Sequence, residues 1–142
     1  MIESTLAKDS LSHRGSLRVF HADMNVAESL SVAQNIAITD DGGNLLSFVR
    51  MEGTKLLSKE TAISKVMTTT SIRQAMGQLN PTLELELIVA AGGSLINIEG
   101  GQALIVANYC VGATGVDSGT GQQGIVIANA ETAALISEEP EL

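Results

Sequence analysis

The sequence predicts an α/β domain of the α+β type, in which helices pack on a largely antiparallel sheet of about five strands. Three observations lead to this prediction. The chain has 142 residues, which is enough for one buried core. Three stretches carry apolar residues at helical spacing, and several shorter apolar runs are separated by glycine pairs that are typical of tight returns between antiparallel strands.

The first third of the chain is predicted to hold one helix and one hairpin. Residues 1–15 are polar and weakly periodic, so we interpret them as a flexible arm. Helical spacing of apolar residues over Ser16–Leu30 predicts the first helix. Two apolar runs, Ile36–Thr39 and Leu45–Val49, flank an Asp-Gly turn and predict the hairpin strands.

A long helix is predicted after the hairpin. It begins near Ser58 and continues to about Thr70, and a second helical piece reaches Leu79. The residue before a proline avoids the α region, so Pro81 ends this helix.

The last third of the chain is predicted to form a three-stranded meander and a closing helix. Glycine pairs at Gly92-Gly93 and Gly100-Gly101 separate the meander's apolar runs, which are Leu85–Ala90, Ser94–Ile98 and Ala103–Val106 through Val111–Val116. The closing helix is Gln122–Ile136, and residues 137–142 form an acidic tail. The domain therefore spans residues 16–136.

Composition excludes several classes of partner. The formal net charge is −8 and the only aromatic residues are Phe20, Phe48 and Tyr109, so the chain lacks the basic face and stacking groups of nucleic-acid-binding proteins. The sequence has no apolar run long enough for a membrane helix and no export signal. Cys110 is the single cysteine, so disulfides and cysteine-based zinc sites are excluded. We expect a cytoplasmic protein without nucleic-acid or membrane partners.

Charged residues at the end of the second hairpin strand are the first candidate site. Arg50, Met51 and Glu52 end the strand, and Lys65 lies on the following helix. Arginine suits recognition of a carboxylate, and a partly desolvated glutamate can act as a general base. The alternative is an ion pair that ties the hairpin to the helix, and the sequence leaves both interpretations open.

A glycine-rich turn is the second candidate site. Residues Gly119–Gly124 spell Gly-x-Gly-x-x-Gly between a strand and a helix, as dinucleotide-binding turns do. Only 18 residues follow Gly124, too few for the second parallel strand and the ribose-binding acid of that fold. Backbone amides at the start of this helix, around Gly119 and Gly121, can still hold a carboxylate or phosphate.

Four motifs resemble the GlcG/HbpS-like proteins, which include haem-binding redox sensors, glycolate-operon proteins and the C-terminal domain of some corrinoid adenosyltransferases. Ile36–Gly53 resembles the family's Val-Val-Asp-x-Gly-Gly…Arg-Met-Asp-Gly signature. The other three follow in order: Lys65 with Thr68, Gly92-Gly93 before Leu95-Ile96, and Val111–Val116. The resemblance covers about residues 16–136 and implies a profilin-like unit that forms homo-oligomers with ligand sites near subunit interfaces.

Haem or a related tetrapyrrole is the ligand that this resemblance implies. Some haem-binding relatives use a histidine of the first helix as an axial ligand, which makes His21 the candidate here; the alternative is an exposed helical histidine without that role. The chain departs from the family pattern at Glu52, at Ser94-Leu95 and at Gln122–Gly124, where the family has an aspartate, a proline and an acidic residue respectively.

The residues and the resemblance lead to two candidate functions, with a purely structural or regulatory oligomer as a third, and whether the chain is an enzyme is left open. The first is a small homo-oligomeric ligand-binding protein of the GlcG/HbpS type, and the second is a cofactor-independent isomerase, lyase or cyclase that transfers protons on a small carboxylate-bearing substrate. Both place a pocket at Arg50–Glu52, facing Gly92-Gly93 or Gly119–Gly124. A neighbouring subunit completes it with His21 and Met24.

Overall fold

The computed structural model describes residues 3–75, 77 and 79–130, which form four helices and one sheet of four strands. In chain order the elements are α1 His13–Ser29, β1 Asn35–Asp40, β2 Leu45–Arg50, α2 Ser58–Ile72, α3 Glu84–Ala90, β3 Gly101–Val106, β4 Tyr109–Asp117 and α4 Gly121–Ala128. The strand order is β2-β1-β4-β3 with every neighbouring pair antiparallel. The predicted α/β class is confirmed, with four strands instead of about five. No helix in this described part of the chain is long and apolar enough to cross a membrane.

Helices cover both faces of the sheet, because alternate residues of a strand point to opposite faces. On one face α1 and α4 pack on Ile36 and Ile38 of β1, and the cluster also includes Leu104 and Val116. On the other face α2 packs on β1 and β4, with Ala37, Val66 and Ala113 at the contact. Aliphatic side chains dominate both layers, as the scarcity of aromatic residues requires.

Helix α2 lies unusually close to the backbone of β4. A Cβ atom added at Gly115 would lie 2.6 Å from the Ala62 carbonyl oxygen and 2.7 Å from the Val66 nitrogen, which are backbone atoms that cannot move aside. Glycine at this position therefore permits the contact between α2 and the centre of the sheet.

The predicted first helix and hairpin are confirmed. Ser12 caps α1 by accepting a hydrogen bond from the Gly15 amide at 3.0 Å. In the hairpin turn, the Asp40 carboxylate accepts hydrogen bonds from the Gly42 and Asn44 amides at 3.0 and 2.9 Å. An Asp side chain bonded to nearby backbone amides stabilises such a turn without tertiary contacts, which is why the local sequence was sufficient to predict it.

The segment before α1 contacts the hairpin turn. Lys8 forms an ion pair with Asp41 at 2.7 Å, and the Ser10 hydroxyl donates to the same carboxylate at 2.6 Å. These two groups lower the pKa of Asp41 below its ordinary value. Leu11 is buried in the core, and its amide donates to the Val111 carbonyl at 2.9 Å. Residues 8–11 are thereby attached to the sheet.

The predicted meander is wrong in its first two strands. The run Leu85–Ala90 lies in helix α3, and Ser94–Ile98 forms neither helix nor strand. The Asn80 side chain accepts from the Thr82 amide at 2.9 Å and starts a turn that leads into α3. The helix closes when the Gly93 amide donates to the Ile88 carbonyl at 2.9 Å. A short, mostly apolar run of seven residues fits a helix as well as a strand, and these local bonds favour the helix.

The predicted second helical piece up to Leu79 is also wrong for the described residues. Helix α2 ends at Ile72 because Arg73 adopts the left-handed conformation, with φ of 59°, and its amide caps the helix by donating to the Thr69 carbonyl. The last helix is found at α4, which ends at Ala128, and the predicted portion from residue 131 to Ile136 lies outside the described residues.

Candidate ligand-binding site

An open cavity of about 400 Å³ lies where three loops meet at one end of the sheet. Residues 31–33 follow α1, Gly53 and Lys55 follow β2, and residues 118–120 lead into α4, where Gln123 completes the lining. The Lys55 amide donates to the Ser118 hydroxyl at 3.1 Å and joins two of these loops. We call this space the α4 cavity. Its volume lies within the range of small-molecule sites.

The N-terminus of α4 provides backbone donors beside the cavity. Thr120 and Gln123 form a reciprocal capping box, at 2.9 and 3.2 Å. Within the described part of the chain, the amides of Gly121 and Gln122 have no hydrogen-bond partner. Free amides and the partial positive charge of a helix N-terminus favour an anion at this place.

Unpartnered polar side chains are concentrated at the same end of the sheet. Seven buried side-chain nitrogen and oxygen atoms lack hydrogen-bond partners within the described residues, and five of them belong to Gln34, Asn35 and Thr54. The Gln34 amide lies behind Gly119, because a Cβ atom added at Gly119 would lie 2.5 Å from Gln34 Nε2 and 2.9 Å from Val32 Cγ1. Gln34 was not identified from the sequence. The signal that the sequence offers is the polar pair Gln34-Asn35, which comes directly before the apolar residues of β1.

Lys65, the predicted catalytic candidate on α2, is engaged in a buried ion pair. Its ammonium lies 2.6 Å from the Asp117 carboxylate and 2.9 Å from the Val116 carbonyl oxygen, and only 3% of its side chain is exposed. The pair joins α2 to the end of β4, immediately before the loop that lines the α4 cavity. Lys65 is therefore not brought together with Arg50 or Glu52.

The predicted Arg50–Glu52 segment lies at the edge of the cavity and does not line it. Arg50 ends β2 and Glu52 lies in the following turn, and the side chains of both are exposed, without a hydrogen bond or ion pair to any described residue. Met51 packs against the core. The lining begins one residue later, at Gly53. Arg50, Met51 and Glu52 thus lie one to three residues before the cavity lining, and their role in ligand binding stays a prediction.

The two predicted glycine motifs have different places in the structure. Gly92 and Gly93 have φ of 68° and 82°, which is a left-handed conformation, and they follow α3 on an exposed surface with no other atom within 4 Å of an added Cβ. Gly119 lines the α4 cavity and Gly121 is the first residue of α4. Of the two motifs, only the second reaches the cavity.

His21 and Met24 lie on helix α1. His21 is exposed, its ring centroid is 5.1 Å from that of Phe20, and neither imidazole nitrogen has a partner among the described residues. Leu17, one turn earlier, is 46% exposed, and Met24 is half-buried against the core. We call Leu17, Phe20, His21 and Met24 the α1 patch. It combines a free imidazole with apolar neighbours.

Asp23 lies on the opposite side of α1 and is buried against the sheet. The Thr114 hydroxyl donates to one carboxylate oxygen at 2.6 Å, and the other oxygen has no partner among the described residues. Burial raises the pKa of Asp23 to about 8, while the Thr114 hydrogen bond acts in the opposite direction. At neutral pH this carboxyl group is therefore protonated. Its partner lies 91 positions away in the sequence, so sequence reasoning missed it.

Metal ligands are not clustered in the described part of the chain, where no group of three or more His, Cys, Asp and Glu side chains could hold a metal ion.

The sequence of this chain matches a known family. The family model described as "Haem degrading protein HbpS-like" matches residues 11–133. The chain therefore belongs to the HbpS-like family, and the resemblance predicted from the four motifs is confirmed. No curated protein matches the chain in sequence.

Solved structures share the fold over nearly the whole chain. The Klebsiella pneumoniae protein ORFY has a TM-score of 0.91 at 20% identity, with 98% of this chain and 99% of that chain covered. A Streptomyces reticuli HbpS double mutant has a TM-score of 0.84 at 20% identity, with 95% and 93% covered. PduOC, crystallised as a complex with haem, has a TM-score of 0.81 at 25% identity, with 88% and 94% covered.

Proposed function

We propose that this protein is a homo-oligomeric small-molecule-binding protein whose ligand is haem or a related tetrapyrrole. Membership of the HbpS-like family and the fold shared with the haem complex of PduOC support this proposal. The observation that carries it for this chain is the exposed imidazole of His21, which has no protein partner among the described residues.

The α1 patch fits one face of a porphyrin. Neutral imidazole is a common axial ligand of haem iron, and His21 has both ring nitrogens available. Leu17, Phe20 and Met24 would contact the apolar macrocycle, since they flank His21 on the helix surface. Bound haem would supply an iron atom that His21 coordinates, while the protein residues bind and orient the ring.

A second subunit is required to cover the other face of such a ligand. Helix α3 has no buried residue, and its leucine and valine side chains are open to solvent, with Leu85 at 73% and Val89 at 69% exposure. Apolar side chains that a single chain leaves exposed in a group mark an interaction surface. This surface supports a symmetric homo-oligomer, in which neighbouring subunits enclose the ligand.

Titration with haemin tests the proposal. We expect saturable binding with a shifted Soret band, and the His21→Ala variant should lose the shift and bind at least about tenfold more weakly, since it lacks the coordinating nitrogen.

His13→Ala is the matched control, because His13 is the other histidine of the chain and is also exposed on α1. It should leave the spectrum unchanged. An unaltered Soret band in folded His21→Ala protein would refute His21 as the ligand, and no saturable haemin binding by the unaltered protein would refute the proposed ligand class.

A further inference from the structure

We propose that Arg14 binds the propionate carboxylates of the tetrapyrrole, so that the carboxylate edge of the ligand faces the N-terminal end of α1. Arg14 is then a specificity-determining residue, since it favours tetrapyrroles with free carboxylates over those without them. This inference rests on the proposed function, because it requires the macrocycle to lie on the α1 patch with its iron at His21.

Three charged or titratable residues form a row along the solvent side of α1. Arg14, His21 and Glu28 are spaced seven positions apart, and all three are exposed. Seven residues are close to two complete helical turns, so the three side chains leave the helix in nearly the same direction. The buried residues of the helix lie on the opposite side and are Ser16, Val19, Asp23 and Ala27. The row therefore has a cation at one end, an imidazole in the middle and a carboxylate at the other end.

The spacing of this row suits a haem whose iron is bound by His21. Seven residues correspond to about 10 Å along the axis of an α-helix. The propionate groups of a haem extend from one edge of the macrocycle, away from the iron at its centre. A guanidinium presents paired N–H donors that match the two oxygens of a carboxylate. Arg14 can therefore donate hydrogen bonds to a propionate while His21 coordinates the iron.

Arg14 is available for a ligand. Its side chain forms no hydrogen bond or ion pair with any described residue, whereas Arg18, on the same side of α1, is half-buried and takes part in another interaction. The net charge of −8 repels an anionic ligand from the protein as a whole, so binding of such a ligand requires a local cation. Glu28, at the other end of the row, disfavours the opposite orientation of the ligand.

The order of charges along α1 is the reverse of the order that stabilises a helix. Acidic residues near the N-terminus and basic residues near the C-terminus interact favourably with the helix dipole. The first turn of α1 contains Arg14 and no acidic residue, and the last turn contains Glu28 and no basic residue. The stability of the helix does not account for this order. An anionic ligand beside Arg14 does, since its carboxylate interacts favourably with the guanidinium and with the helix N-terminus.

Titrations with haemin and with haemin dimethyl ester, in the same detergent solution, test whether the carboxylates are recognised. The ester keeps the iron and the macrocycle and lacks the charged carboxylates. Both compounds should give the shifted Soret band that depends on His21. The ester should bind at least about fivefold more weakly, because it loses the charge-assisted hydrogen bonds. Equal affinities for the two compounds would overturn the inference.

Arg14→Ala should weaken the binding of haemin at least about fivefold and change the affinity for the ester by less than about twofold, because only haemin has carboxylates to lose as partners. Lys59→Ala is the matched control, since Lys59 is an exposed cation of α2, on the other face of the sheet. It should change neither affinity by more than about twofold, as expected for a screened surface charge. Equal losses for haemin and the ester in Arg14→Ala would overturn the inference.

Arg14→Glu separates a binding role from a structural one. Glutamate in the first turn suits the helix dipole, so the resistance of the ligand-free protein to urea should stay the same or increase. The affinity for haemin should fall further than in Arg14→Ala, because a carboxylate at position 14 repels the propionates. Lower resistance to urea, or an affinity for haemin no weaker than that of Arg14→Ala, would contradict the role of Arg14.

The haemin titration also distinguishes this inference from the proposed function. Saturable binding that depends on His21, with the same affinity in Arg14→Ala as in the unaltered protein, would overturn the role of Arg14 and leave the proposed function standing. Absence of saturable haemin binding by the unaltered protein would overturn both.

Discussion

Asp23→Asn is expected to stabilise the protein at neutral pH and to flatten the dependence of its stability on pH. Burial raises the pKa of Asp23 from 3.8 to about 8. Between these values the unfolded chain carries an ionised carboxylate while the folded chain holds the proton, so rising pH favours the unfolded state. The contribution of protonated Asp23 to the free energy of unfolding is fully present below about pH 4 and is lost as the pH approaches 8.

The size of this effect follows from the shift in pKa. The free energy of unfolding should fall by somewhat over about 1 kcal/mol for each pH unit between the two pKa values. At pH 7 the total decrease, relative to pH 4, is about 4 kcal/mol. Asparagine can still accept the Thr114 hydrogen bond and does not ionise, so the variant should recover a large part of that free energy.

Urea unfolding at pH 4, 6 and 8 measures the difference. The free energies of unfolding of the two proteins should be similar at pH 4 and should diverge as the pH rises. Asp9→Asn alters an exposed aspartate and should leave the pH dependence unchanged. Parallel profiles for Asp23→Asn and the unaltered protein would show that Asp23 ionises normally in the folded state.

Lys65→Met is expected to destabilise the fold by about 1.5–3 kcal/mol, because it removes charge-assisted hydrogen bonds and leaves the part-buried Asp117 carboxylate, which is 19% exposed, without its partner. Lys65 is almost completely buried, and it neutralises Asp117 while donating to the Val116 carbonyl. Methionine keeps the apolar part of the side chain and lacks the ammonium. The decrease in the free energy of unfolding therefore measures the contribution of the ion pair and of the hydrogen bond to Val116.

Urea unfolding again provides the measurement, with Lys59→Met on the exposed side of α2 as the control. A second change, Asp117→Asn, should recover part of the loss in Lys65→Met, since it removes the unpaired carboxylate. A loss no larger than that of Lys59→Met would mean that the ion pair does not hold α2 to the end of β4.

Local signals in the sequence explain why much of the fold could be predicted. The hairpin depends on an Asp-Gly turn whose hydrogen bonds join residues no more than four apart. Helix α1 follows from its apolar spacing, and the Ser12 cap begins it at His13, three residues before the predicted Ser16. Both signals lie within the element that they predict, so tertiary structure does not alter the outcome.

The prediction failed where short segments fit two conformations. Leu85–Ala90 is a short apolar run of the kind that strands contain, yet the Asn80 turn and Gly93 close it as a helix. The same glycine pair that was interpreted as a strand return terminates α3. Sequence alone does not reveal that this segment has no neighbouring strand.

The candidate site could be predicted only in part because its groups come from distant parts of the chain. The glycine-rich turn was recognised, and Gly119 does line the α4 cavity. Lys55 and residues 31–33 join it from loops that carry no motif. Lys65 was assigned to the Arg50–Glu52 site, whereas its partner Asp117 lies 52 positions away.

Sedimentation velocity of the protein with haemin, followed at the Soret wavelength, tests the central claim most directly. The claim is that neighbouring subunits bind a tetrapyrrole together, so the absorbing species should sediment as at least two chains of 14.7 kDa. The sedimentation boundary seen at the Soret wavelength should coincide with the boundary seen in protein absorbance. In the His21→Ala variant, the boundary at the Soret wavelength should be absent. Haem that sediments with a single chain, or remains free while the protein is folded, would contradict the claim.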